Sequence, residues 1–144
     1  MERQAERAEV KFEESAMAVV VYHDKILTTN EVIYGKETLS LPKGHREENE
    51  TILDTAIREC FEETNIVITK DDLVMELPSY SYEFLTPSSQ FVRKTIFPLL
   101  FRVDREGIPL PKEKRIISVQ WMDMDEFMGK CRHESVIDVV KQIR

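Results

Sequence analysis

The stretch GHREENETILDTAIRECFEETNI, residues 44–66, decides the fold. It opens on Gly44 and runs into a short helix whose last turns carry Glu59, Glu62 and Glu63. Residues three and four apart share one helix face. At 100° per residue these three carboxylates fall within an arc of about 100°. Anions held that close repel one another and stay ionised cheaply only around a cation. Oxygen-only ligands select a hard divalent ion, so Mg²⁺ or Mn²⁺ is the natural choice. A glutamate run is ordinarily a solvated face laced with i,i+4 pairs to Lys or Arg. Here Arg58 is the one cation between Thr51 and Thr64, and the surplus negative charge lies at the helix C-terminus. The helix dipole disfavours anions there, so an ion-binding face explains the pattern better than a solvated one.

The spacing resembles the Nudix hydrolases, whose pattern is G-x5-E-x7-R-E-U-x-E-E-x-G-U, with U a bulky apolar residue. Gly44, Glu50, Arg58, Glu59, Glu62, Glu63 and Ile66 stand in register with it. Cys60 replaces an aliphatic residue and Asn65 replaces the second glycine. Cys packs as a small hydrophobe, and Asn tolerates a left-handed helix cap. The resemblance implies an α/β fold, the Nudix-type α/β/α sandwich with a mixed β-sheet, and a single domain over residues 1–144. It also implies divalent-metal-dependent hydrolysis of a pyrophosphate bond.

By position, the resemblance makes Glu59, Glu62 and Glu63 metal ligands, with Glu59 and Glu63 foremost, and adds the main-chain carbonyl of Gly44. Arg58 orients a box glutamate, braced by Glu50. The base that activates water is Glu59 or, from a later loop, Glu113. Glu113 reads equally well as one more charge in the run Lys112-Glu113-Lys114-Arg115. The lead-in Pro42-Lys43-Gly44-His45 is similar to that of Nudix enzymes acting on diadenosine polyphosphates, and it makes Lys43 and His45 candidate phosphate contacts. Arg93 and Lys94, on an expected strand, are further candidates, although a solvent-facing pair would explain them too. Tyr80 and Tyr82 lie two apart on one strand face, and Tyr82 offers a ring on which a base can stack. Dinucleoside polyphosphate is the favoured substrate class. Nucleoside triphosphates, ADP-ribose and diphosphoinositol polyphosphates compete with it, and a nucleotide-sensing domain without catalysis is the alternative of another class.

Outward from the box, the helix is expected to start at Thr51 with a capping-box partner at Asp54, and to end at Asn65. Leu53, Ala56, Ile57 and Cys60 form its apolar stripe. Upstream, residues 1–9 read as a polar arm or first helical turn, Val10–Glu14 as an edge strand, and Ala16–Tyr22 as a buried strand. His23 and Asp24 turn the chain into a short strand over Lys25–Thr29. Thr38–Leu41 is a strand ending in the Pro42-Lys43-Gly44 loop. Downstream, strands are expected at Ile66–Ile68, Leu73–Leu77, Tyr80–Leu85 and Val92–Val103, the last an edge or bulged strand because of Pro98. A loop over Arg105–Lys114 leads to a strand over Ile117–Met122. Two helices follow, over Asp125–Lys130 and Ser135–Ile143. Trp121, Met122 and Phe127 read as core, His23 and His133 as surface. Such an order describes a mixed sheet covered on both faces.

The chain has 144 residues, 42% apolar and 33% charged, with net charge −7. The length suffices for one domain with a proper core. The acidic balance argues against nucleic acid as a partner, because phosphate backbones need basic patches. A small nucleotide or polyphosphate, bridged by divalent ions, fits better. Cys60 and Cys131 have no basic cluster beside them and are expected to be reduced. No apolar run approaches the ~18 residues of a membrane span, and the N-terminus carries no apolar segment of signal length, so the cytoplasm is the expected location. The oligomeric state is left open.

Overall fold

The computed structural model describes residues 9–144. The arm expected over residues 1–9 lies, up to residue 8, outside the described residues. The strands are β1 (Val10–Tyr22), β2 (Lys25–Ile33), β3 (Lys36–Ser40), β4 (Lys43–His45), β5 (Leu73–Glu76), β6 (Tyr80–Leu85), β7 (Phe91–Val103) and β8 (Ile116–Asp123). The helices are α1 (Ile52–Thr64), α2 (Met124–Lys130) and α3 (Glu134–Lys141), and a 3₁₀ turn covers Lys70–Asp72. All eight strands join one mixed sheet, along the path β3-β2-β1-β7-β5, with β4 on β1, β6 on β7 and β8 on β2.

β1 and β7 are its spine, parallel and paired from Val10↔Phe91 to Tyr22↔Val103. Alternation along a strand sends successive side chains to opposite faces. Ala16, Ala18 and Val20 accordingly pack with Ala56 and Cys60 of α1. Met17, Val19 and Val21 pack with Phe127 of α2 and Val136, Val139 and Val140 of α3. One strand thus serves two cores, and each face is closed by helix.

Five expectations change. Val10–Glu14 is the first part of β1 rather than a separate strand. Lys43–His45 is a strand rather than a loop, because it pairs with Ser15–Met17. Ile66–Ile68 forms no strand; Ile66 and Ile68 are buried apolar anchors in an irregular segment. β7 is internal despite Pro98. β6 pairs with Phe91–Ile96 and β5 with Leu99–Phe101, so Pro98 falls at the seam between two partners. There its missing N–H interrupts no ladder, and its carbonyl accepts from Leu77 N at 3.0 Å. Trp121 is only partly buried, its indole Nε1 donating to Glu106 O at 2.8 Å. Among the described residues, no helix is long and apolar enough to cross a membrane.

Candidate metal and phosphate site

The helix α1 is locally well specified. Thr51 Oγ1 accepts from Asp54 N at 3.0 Å, and Asp54 Oδ2 accepts from Thr51 N at 3.1 Å, which completes the capping box. Asn65 ends the helix at φ 67°, the left-handed conformation that Asn tolerates where the family pattern has glycine.

Arg58 ties the box together. Its Nε donates to Glu50 Oε2 at 2.6 Å and its Nη2 to Glu50 Oε1 at 3.0 Å, a bidentate fork. Nη1 reaches Glu59 Oε2 and Glu62 Oε1, each at 3.1 Å, and Nη2 also donates to the His45 carbonyl at 2.9 Å. The Arg58 bonds hold Glu50 down to a pKa of about 2, and the bond to Glu50 raises the guanidinium in turn. Glu50 further accepts from Thr55 Oγ1 at 2.8 Å and Glu47 N at 3.0 Å. Arg58 therefore orients the glutamates and docks α1 on β4.

Gly44 brings the backbone against the carboxylate of Glu59. A Cβ at this position would lie 2.1 Å from Glu59 Cδ, so any other residue would push the Glu59 carboxylate out of this place. Burial raises the pKa of Glu59.

Among the described residues, Glu59, Glu62 and Glu113 place one oxygen each within 4.8 Å of one another. Glu113 arrives from a loop far downstream because that loop is stitched to α1. Leu110 N donates to Thr64 O at 2.9 Å, Asn65 Nδ2 to Ile108 O at 3.1 Å, and Lys112 Nζ stands 3.6 Å above the Phe61 ring. Three carboxylate donors, with the backbone of Gly44 packed against one of them, fit a hard divalent ion. Glu63 is not in that trio. Its side chain is 1% exposed, and it accepts from Arg115 Nη2 at 2.5 Å and Lys43 N at 3.3 Å. Burial pushes it up to about 7 against the pull of Arg115.

Beside the trio lies a cleft of about 400 Å³, lined by Ser15, Lys43, Gly44, His45, Glu59, Lys94, Glu113 and Arg115. Lys94 Nζ donates to His45 Nε2 at 3.0 Å. Burial, then the Lys94 charge, lowers the pKa of His45, while burial and Lys43 lower that of Lys94. Two lysines thus stand close enough to repel one another beside the carboxylates. Lys43 also lines a hollow of about 350 Å³ with Tyr80, Tyr82, Ile96 and Ser40. His45 lines a second groove of about 440 Å³ with Lys11, Phe12 and Arg46. Ser15 Oγ and Ser40 Oγ are buried with no partner among the described residues, and belong to residues lining the cleft and the hollow.

The structure thus brings Lys43, Gly44, His45, Glu59, Lys94 and Glu113 to one cleft, with Arg58 and Glu62 at its edge and Tyr82 in the adjoining hollow. It does not bring Arg93 there. Strand alternation turns Arg93 away from Lys94, and its Nη1 pairs with Glu83 at 3.2 Å. Sequence reasoning missed Arg115 and Glu31. Alternation from Leu27 through Thr29 places Glu31 on the α1 side of β2, which was the available signal.

The family model of the NUDIX domain matches residues 12–140. Phosphatase NudJ of Escherichia coli (strain K12) is 28% identical over 132 residues, covering 89% of this chain and 79% of that protein. A MutT protein from Bacillus halodurans superposes with TM-score 0.72 at 21% identity, over 91% of this chain and 81% of that one. A C. elegans Ap4A hydrolase superposes with TM-score 0.70 at 16% identity, over 91% and 94%. The structural likenesses speak for the fold, and the matched domain speaks for the family: this chain belongs to the Nudix hydrolases, enzymes acting on phosphoric anhydrides.

Proposed function

We propose that this Nudix hydrolase cleaves dinucleoside polyphosphates, with Mg²⁺ or Mn²⁺ held by Glu59, Glu62 and Glu113. The observation that carries the substrate class is the form of the cleft. It is basic beside the carboxylates, and it has two neighbours: the Tyr80–Tyr82 hollow, which shares Lys43 with it, and the groove beside Phe12, which shares His45. A polyphosphate with a nucleoside at each end fills all three spaces. A nucleoside triphosphate leaves one of them open.

In this reading Lys43 and Lys94 hold the phosphate chain as point charges. Tyr82, half exposed on the rim of its hollow, stacks on one base. Arg58 positions Glu59 and Glu62. Glu59 or Glu113 takes the proton of the attacking water. A divalent ion at the trio supplies neutralisation of the phosphate oxygens and a more acidic water. Glu63 keeps the inner end of α1 fixed to Arg115 and to the backbone of β4.

The test is product analysis with Mg²⁺ on a panel of diadenosine tetraphosphate, ATP and ADP-ribose. The expected result is a kcat/KM at least about tenfold higher for the dinucleotide, the size of one good stacking contact (about 1.4 kcal/mol). Equal or better turnover of ATP or ADP-ribose would overturn the substrate class.

A further inference from the structure

Arg115 is a second guanidinium hub, outside the box pattern and facing its inner side. Its Nη2 meets Glu63 Oε2 at 2.5 Å and Glu113 Oε1 at 3.1 Å, and its Nη1 meets Glu31 Oε1 at 3.0 Å. The side chains of Glu63 and Glu31 are 1% and 6% exposed. Two buried carboxylates and a third, partly buried one therefore share a single cation. One guanidinium cannot neutralise them, and uncompensated buried charge is costly. Glu113 belongs both to this group and to the trio with Glu59 and Glu62. The positive charge of Arg115 is thus bonded directly to one of the three carboxylates of the trio. It opposes the charge of any cation the trio takes, while Glu31, on the far side of the guanidinium, works in favour of that cation.

We propose that Arg115 is a resident counter-cation that sets the divalent-ion affinity of the Glu59–Glu62–Glu113 trio, and that buried Glu31 tunes it in the opposite direction. The inference rests on the metal reading of the trio given above. It assigns Arg115 and Glu31 to ion affinity, not to contact with substrate. Coulomb attraction alone fixes the signs. Removing the guanidinium charge takes away the cation that competes for Glu113 and favours a divalent ion there. Removing the Glu31 charge leaves Arg115 less compensated and disfavours it. A role confined to tying the Glu113 loop to α1 predicts something else: both changes loosen Glu113, and ion binding weakens or stays the same in both.

The test titrates Mn²⁺ alone into the full chain, reading free ion by electron paramagnetic resonance, with thermal melting alongside. With solvent screening of the part-exposed Arg115 allowed for, Arg115→Gln is expected to bind Mn²⁺ about fivefold more tightly and Glu31→Gln about threefold more weakly. Arg115→Lys keeps the charge and is expected to stay within about twofold of the wild type. Shifts of the same sign, or no shift in either variant, overturn the inference. If Arg115→Gln does not fold, Glu31→Gln decides alone: weaker binding supports the inference and unchanged binding overturns it. A wild-type chain that binds no Mn²⁺ overturns the metal reading together with this one. A wild-type chain that binds the ion without the opposed shifts overturns this inference only.

Discussion

Gly44 has no room for a side chain. Its Cα lies so close to Glu59 that a methyl group would stand 2.1 Å from the carboxylate carbon and 2.2 Å from one oxygen. Gly44→Ala must therefore displace either β4 or Glu59. We expect it to cost about 1–3 kcal/mol of stability, the usual effect of overpacking, and at least about 100-fold in kcat, since misplacement by an ångström at a reacting centre has that effect. Urea unfolding and steady-state kinetics on the same variant check both. A variant with wild-type kinetics would show that the contact has no bearing on the chemistry. Glu50 gives a pH-dependent counterpart. Arg58 holds its folded pKa at about 2, below the ordinary 4.5. The stabilisation is therefore present above about pH 4.5 and lost as pH falls through about 2, because the unfolded chain takes up the proton first. Glu50→Gln should cost about 1–3 kcal/mol near neutrality, the range for a charge-assisted bond, and should flatten stability between about pH 4.5 and 2. Denaturant midpoints across that range read it, and a slope unchanged from the wild type would contradict the assignment.

At the level of elements, α1 is legible in the sequence because its information is local. Thr51, Asp54, the apolar stripe and Asn65 each act within a turn of their own position, and each stands where the spacing put it. Thr51→Ala should cost about 1 kcal/mol in chemical denaturation, the typical value of a lost N-cap, and no change would show that packing alone holds that end. β4 is not legible as a strand. Three residues acquire strand geometry only because Ser15–Met17, far upstream, offer a free edge. Pro98 argues for an edge strand, and it misleads because the change of partner from β6 to β5 is set by the rest of the sheet. The Arg115 hub escapes for the same reason. Within Lys112–Arg115 it resembles a solvated charge run, and its partners Glu31 and Glu63 lie 84 and 52 residues away. Glu63, expected beside Glu59 as a foremost ligand, is bonded to Arg115, and Glu113, which reads equally well as part of a charge run, stands with Glu59 and Glu62.

At the level of the whole molecule, one sheet with a core on each face puts both thiols out of reach. Cys60, on the α1 side, is fully buried, and burial pushes its thiol up to about 12; Cys131, on the α2–α3 side, is 2% exposed and also raised by burial. Neither should react with a thiol reagent at mildly alkaline pH until the chain unfolds, and both should then react together in the denaturant range where circular dichroism is lost. Fast labelling of the native protein would show that one face opens separately. The same architecture sets β4 and α1 against the middle of β1, with Glu113 of the loop before β8 beside them, and there acidic and basic side chains stand face to face. Everything proposed for the chemistry depends on what that cleft holds. Anomalous diffraction at the manganese edge, from crystals grown with Mn²⁺, measures it directly. The expected result is a peak about 2.0–2.4 Å from carboxylate oxygens of Glu59, Glu62 and Glu113. No peak among these three side chains, with the ion elsewhere or absent, would contradict it.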